Sequence, residues 1–218
     1  MEPIFRNTSA VDWITLLLFG SLLLIVVAKS LFYGRFLNFV ILPFNNKYIF
    51  MYNKKEKLMN WFHVFFTLFQ IINFSLFIFL ASKTLLLQEG GSYPFMYPII
   101  LGGLVLFILL KMFLQLGNGF VFGVNKVVGE LIFKKLSYLN HSSMVMFLAN
   151  VVIVYVFKDS EVVVYLSIFL ILSINAIGWI TVLKNHQKFI TANFFYFILY
   201  LCALEIAPFI IIGSYLKD

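Results

Sequence analysis

Apolar runs long enough to cross a bilayer recur along this chain, and that recurrence excludes most folds. A transmembrane helix needs roughly 20 predominantly apolar residues. Six stretches meet or approach that length: 13–32, 58–81, 97–116, 142–157, 162–183 and 189–216. The sequence is 62% hydrophobic and 11% charged, with a mean hydropathy of +1.00. A water-soluble domain of 218 residues has too much surface to hide that composition, whereas lipid accepts apolar side chains. The expected fold is all-α: a polytopic membrane helix bundle of about six transmembrane helices, in a single membrane domain over 1–218. The fourth stretch is short and is expected to borrow residues 136–140. The sixth is long and must tilt, kink or protrude.

Basic residues then orient the bundle. Arg35, Lys47, Lys54, Lys55 and Lys57 lie between the first two stretches. Lys126, Lys134 and Lys135 lie between the third and fourth, and Lys184 and Lys188 between the fifth and sixth. The other side holds Arg6, Lys83, Lys158 and Lys217, diluted by acids. Ten against four places the three basic connections in the cytoplasm and both termini in the periplasm of a bacterial inner membrane. The same bias accounts for the net charge of +7, so nucleic acid is not an expected partner. Trp13, Trp61, Tyr93, Tyr97, Trp179 and Tyr215 fall where an interfacial aromatic belt belongs. Val26-Val27-Ala28 resembles a signal-peptide cleavage site, but Glu2, Arg6 and Asp12 replace the usual basic cluster, so cleavage is not expected.

Residues 119–136 carry Lys126, Glu130 and Lys134 at four-residue spacing, with Val121, Val124, Val128, Leu131 and Ile132 mainly on another face. That pattern predicts an interfacial amphipathic helix, entered through a break at Gly117-Asn118-Gly119. Residues 36–43 show a weaker version of the same pattern. The plainest role for the interfacial helix is to seal the edge of the bundle.

Polar residues inside the apolar runs are the functional candidates, because each needs a partner in hydrocarbon. Glu205 stands in the sixth stretch, three residues before Pro208. Proline has no N–H to give the carbonyl of Leu204, so an acid and a freed carbonyl lie within a turn. That pair suits a proton, a cation or a donor from another helix. The second stretch has Asn60, His63, Thr67 and Gln70 at helical spacing, with Asn73 slightly off it. Gln70 and Asn73 are expected at about the depth of Glu205. Lys111, Gln115 and Asn118 follow in the third stretch, Asn150 in the fourth and Asn175 in the fifth. For the amides the plain reading is interhelical hydrogen bonding, and for Lys111 it is snorkelling to the interface. His63, His141 and His186 come from separate segments without ligand spacing, and Cys202 is the sole cysteine. No metal site, cofactor or catalytic residue is expected on these grounds.

Two segments carry a resemblance. YLCALEIAPFII near the end and RFLNFVILPFNNKYIFMYNKK after the first stretch are similar to a family of integral-membrane proteins of the Bacteroidetes, domain of unknown function 4271. The resemblance covers nearly the whole chain. It implies an inner-membrane protein of several helices and transfers no activity or catalytic residues.

Three functions compete. The first is a non-enzymatic membrane subunit or assembly factor, with a membrane-protein partner. The second is a small transporter or proton/cation-coupled protein, using Glu205 with Gln70, Asn73 and Asn150. The remote third is a lipid-modifying membrane enzyme.

Overall fold

The computed structural model describes residues 9–45, 47–52, 60–85, 95–121, 123, 125–158 and 160–185. Among these the chain is helical throughout, without a strand. The helices are α1 (Ser9–Leu31), α2 (Tyr33–Val40), α3 (Lys47–Tyr52), α4 (Trp61–Leu85), α5 (Met96–Val121), α6 (Asn125–Val151) and α7 (Glu161–Asn185). A π-helical turn, Val152–Val156, prolongs α6. Five segments are long and apolar enough to cross a membrane: Asp12–Leu31, Trp61–Leu85, Met96–Gly117, Val128–Val156 and Glu161–Lys184. They correspond to the first five stretches expected from sequence. The sixth, with Cys202, Glu205 and Pro208, lies outside the described residues, as does His186 just before it.

Helix is what hydrocarbon permits here, since backbone donors and acceptors must pair within the segment. Side-chain hydroxyls follow the same rule. Ser21, Ser75, Ser82, Ser137, Ser143 and Ser167 each donate to a carbonyl three or four residues back in their own helix. A hydroxyl can therefore sit on an apolar helix with its proton satisfied locally.

Contacts fix the directions of the helices. Trp13 packs on Phe79 and Phe32 on Phe62, so α1 and α4 run antiparallel. Tyr97 at the start of α5 meets Phe79 near the end of α4. His63 meets Phe133, while Asn73 meets Asn150 further along, so α4 and α6 run parallel. Tyr138 bonds Thr181 and Ser142 bonds Asn175, so α6 and α7 are antiparallel. One end of the bundle, here the basic end, thus collects α2, α3 and the α5–α6 turn.

The basic end is an aromatic core. Phe39, Tyr48, Phe62, Phe66, Phe69, Phe133 and Tyr138 are all buried there. Asn45 Oδ1 accepts from the Lys47 N–H and starts α3; Asn60 Oδ1 accepts from the Phe62 N–H and starts α4. A second core of Ile14, Leu18, Leu76, Phe77, Leu80, Met146, Ala149, Ile153 and Val164 fills the opposite end. Between α6 and α7, a Cβ at Gly178 would lie 2.7 Å from Cγ of the buried Tyr138 ring. Only glycine lets the two helices approach so closely.

Helix boundaries near residue 120 differ from the sequence expectation. No break occurs at Gly117-Asn118-Gly119, because α5 continues to Val121. Internal hydrogen bonding of the helix outweighs the low helix propensity of two glycines. The turn comes instead at Gly123, whose φ of +67 suits glycine. Consequently 119–136 is not one separate helix: it divides between the end of α5 and the start of α6, which runs on without interruption. The borrowing expected of the fourth span extends back to Val128 rather than to 136. The weaker segment, 36–43, contributes to α2, whose Phe39 is fully buried.

Candidate functional site

The seam between the parallel helices α4 and α6 carries the polar candidates. On α6, Ser137, Asn140, Ser143 and Asn150 recur at three- to four-residue intervals or their sum, and all are completely buried. On α4, His63, Gln70 and Asn73 share such spacing and are buried as well. Asn73 is the central residue of the span Trp61–Leu85, about 18 Å from either end at 1.5 Å per residue.

Asn73 Nδ2 donates to the Phe69 carbonyl at 2.9 Å, one turn back. Asn150 Nδ2 crosses from α6 and donates to the Asn73 carbonyl at 3.0 Å. Only an NH2 group can face a carbonyl, so both amide orientations are fixed and both Oδ1 atoms are turned elsewhere. Among the described residues neither oxygen accepts a hydrogen bond. Gln70, one turn toward the basic end, has neither Oε1 nor Nε2 partnered, and Asn140 is in the same state. A buried polar atom without a partner costs about 1–3 kcal/mol. Amides cannot do what the serines do, since one local carbonyl satisfies the nitrogen end alone.

The π-helical turn begins two residues after Asn150, with the Phe157 N–H donating to the Val152 carbonyl at 2.8 Å. Such turns inside α-helices recur at functional sites.

At the basic end the seam meets a second polar group. His63 Nε2 and the Tyr48 hydroxyl share a hydrogen bond of 3.2 Å, and the His63 ring stands edge-on to Phe133 at 4.7 Å. Tyr48 stacks nearly parallel on Phe133. Burial raises the Tyr48 phenol above its ordinary pKa; the nearby Arg35 charge opposes this, Tyr52 adds to it and the Ser137 hydroxyl opposes it. The Arg35 guanidinium lies 4.5 Å from the Tyr52 ring centroid, flanked by Phe62 and Phe32. His141 Nε2 bonds the Val40 carbonyl at 3.0 Å and ties α6 to α2. Among the described residues no three His, Cys, Asp or Glu side chains group in a way that holds a metal ion.

The structure therefore brings Asn73 and Asn150 into contact, with Gln70 and His63 along the same helix face. Asn60 leaves the polar stripe and serves as a helix cap. Lys111 is half-buried on α5, one turn before the buried Gln115. Glu205 and Pro208 lie outside the described residues. Sequence reading used Arg35 only to orient the bundle, and it did not single out Tyr48 or Asn140. Asn140 follows Ser137 and precedes Ser143 by three residues each, and that spacing was a usable signal. Arg35 and Tyr48 belong to a basic connection that reads as loop, and nothing local marks them.

A family model described as "Domain of unknown function (DUF4271)" matches residues 14–216. No curated protein and no solved structure matches the chain.

Proposed function

The chain belongs to the family of domain of unknown function 4271, and within it we propose a small cation- or proton-coupled membrane transport protein that works through the α4–α6 seam. One observation carries this reading. Gln70 and Asn140 are fully buried amides with both ends unpartnered. Amides that merely held helices together would be spent across the seam, as Asn150 Nδ2 is on the Asn73 backbone carbonyl. Open hydrogen-bonding capacity kept at a cost in stability suits a small polar guest. In this reading the basic end faces the cytoplasm of an inner membrane, and Glu205 adds a titratable group at similar depth. The test is reconstitution into liposomes with sodium, potassium and proton gradients imposed in turn. Flux through the wild type that is lost in both Gln70→Leu and Glu205→Gln supports the reading; no flux of any of the three sinks it.

A second reading, a membrane subunit with a stoichiometric partner, draws on α5. Only 11% of its apolar window is buried, against 44% for α4 and α6. Ile99, Leu106, Phe113 and Phe120 form an exposed stripe at seven-residue spacing, the period of helix pairs. Mild-detergent pull-down from native membranes tests it: a stoichiometric partner lost on Phe113→Ala supports it, and a clean monomer removes it.

A further inference from the structure

The seam is asymmetric in its chemistry. At Asn73 and Asn150 the NH2 groups are tied to carbonyls and the oxygens accept nothing among the described residues, whereas Gln70 and Asn140 have both ends open. Gln70 lies a turn away on the same face, and its untethered amide is able to turn Oε1 toward them. At the Asn73–Asn150 contact the open groups are therefore acceptors. Oxygen acceptors with partial negative charge repel anions and attract cations.

The type of cation follows from what the seam lacks and what it has. Among the described residues the seam contributes no carboxylate at this level. Divalent cations such as calcium and magnesium are usually held by one or more carboxylates. Soft transition metals favour thiolate or imidazole. Neutral carbonyl-type oxygens inside a membrane match the ligands that replace the hydration shell of a monovalent ion. The position of Asn73 midway along its span and the near-complete burial of the three amides fit such a site.

We propose that Asn73 Oδ1, Asn150 Oδ1 and Gln70 Oε1 form a binding site for a monovalent alkali cation in the middle of the α4–α6 seam. This rests on the cation-coupled reading above and names its ligand and place. The three oxygens are neutral ligands, so among the described residues nothing offsets the charge that the ion brings into the bundle. Occupancy removes the penalty of three unsatisfied oxygens, so binding stabilises the fold.

The experiment uses the purified full chain in detergent. Thermal unfolding is followed at constant ionic strength in sodium, potassium or choline chloride, and titration calorimetry follows sodium or potassium into protein dialysed against choline. The wild type should unfold at higher temperature in one alkali ion than in choline, with saturable heat. Asn73→Leu and Asn150→Leu should each weaken binding about tenfold, the loss of one charge-assisted contact. Gln70→Leu provides a variant that breaks no existing hydrogen bond, in case either asparagine variant fails to fold. An equal response of the wild type to all three salts, with no saturable heat, overturns the proposal. Undiminished binding in all three variants overturns the assignment to these residues. Proton flux in liposomes without alkali-ion binding would defeat this site and leave the transport reading standing. Alkali-ion binding lost in the variants, without flux of any cation, would uphold the site and defeat the transport reading.

Discussion

The aromatic core at the basic end and the amide stretch at mid-span are built from neighbouring turns of α4 and α6, yet they are finished differently. At the basic end rings interlock: Phe39 packs against Tyr48, Phe62, Phe66 and His141. Tyr48 reaches His63 and His141 reaches the Val40 carbonyl, although the second ring nitrogen of each histidine has no partner among the described residues. At mid-span the amides are enclosed as tightly, but Gln70 Oε1, Asn73 Oδ1 and Asn150 Oδ1 reach nothing among the described residues. A chain that only needed to hold α4 against α6 had the means to do so a few turns away. The difference is between a region held by packed rings, where each histidine still makes one bond, and one where Gln70 is left open at both ends.

Mutations at the two regions should therefore have opposite signs. The largest effect belongs to Phe39→Ala, which empties a fully buried ring site and should destabilise by about 3–5 kcal/mol. Unfolding in detergent measures it; a loss below that of an exposed-residue variant would dissolve the contrast. Gly178→Ala comes next, at about 1–3 kcal/mol, because the new methyl meets the Tyr138 ring. Trimming the ring in Gly178→Ala/Tyr138→Leu should recover part of that loss, and strict additivity would contradict the clash.

Tyr48→Phe should cost about 1 kcal/mol by removing the bond to His63. It also has a pH signature. The folded-state pKa of Tyr48 is raised, so its stabilising effect is complete below the free-phenol value near 10 and is lost as pH climbs toward the folded value. Wild type should lose more stability than Tyr48→Phe above pH about 10. Identical alkaline profiles would show that the phenol is not protected.

Much of this architecture was legible before any coordinates. Five apolar runs became helices because length and hydropathy leave lipid-embedded chain no other way to pair its backbone. His63, Gln70, Asn73 and Asn150 stood out because polar side chains in such runs need partners. Helical phase alone did not show that Asn73 and Asn150 meet, since rotation and register of two helices are set by packing. The break expected at residues 117–119 did not occur because α5 runs on to Val121 and the turn falls at Gly123. The burial of Arg35 and Tyr48 was invisible for another reason: it depends on α2 and α3 folding against α4 and α6, a contact between segments far apart in sequence. Glycine at 178 reads as an ordinary helix residue until Tyr138 is placed beside it.

The smallest expected effect is at Phe113 on the exposed face of α5, where Phe113→Ala should alter stability of the purified chain by no more than about 0.5 kcal/mol. A larger loss would mean that this face is covered within the protein itself.

Gln70→Leu tests the central claim most directly, with unfolding and liposome cation flux measured on the same preparation. Replacing an amide unpartnered at both ends by an apolar side chain of similar size should leave the protein as stable or about 1–3 kcal/mol more stable, while flux disappears. A variant that is destabilised, or one that transports as well as the wild type, would contradict the claim that the seam's open amides serve function rather than packing.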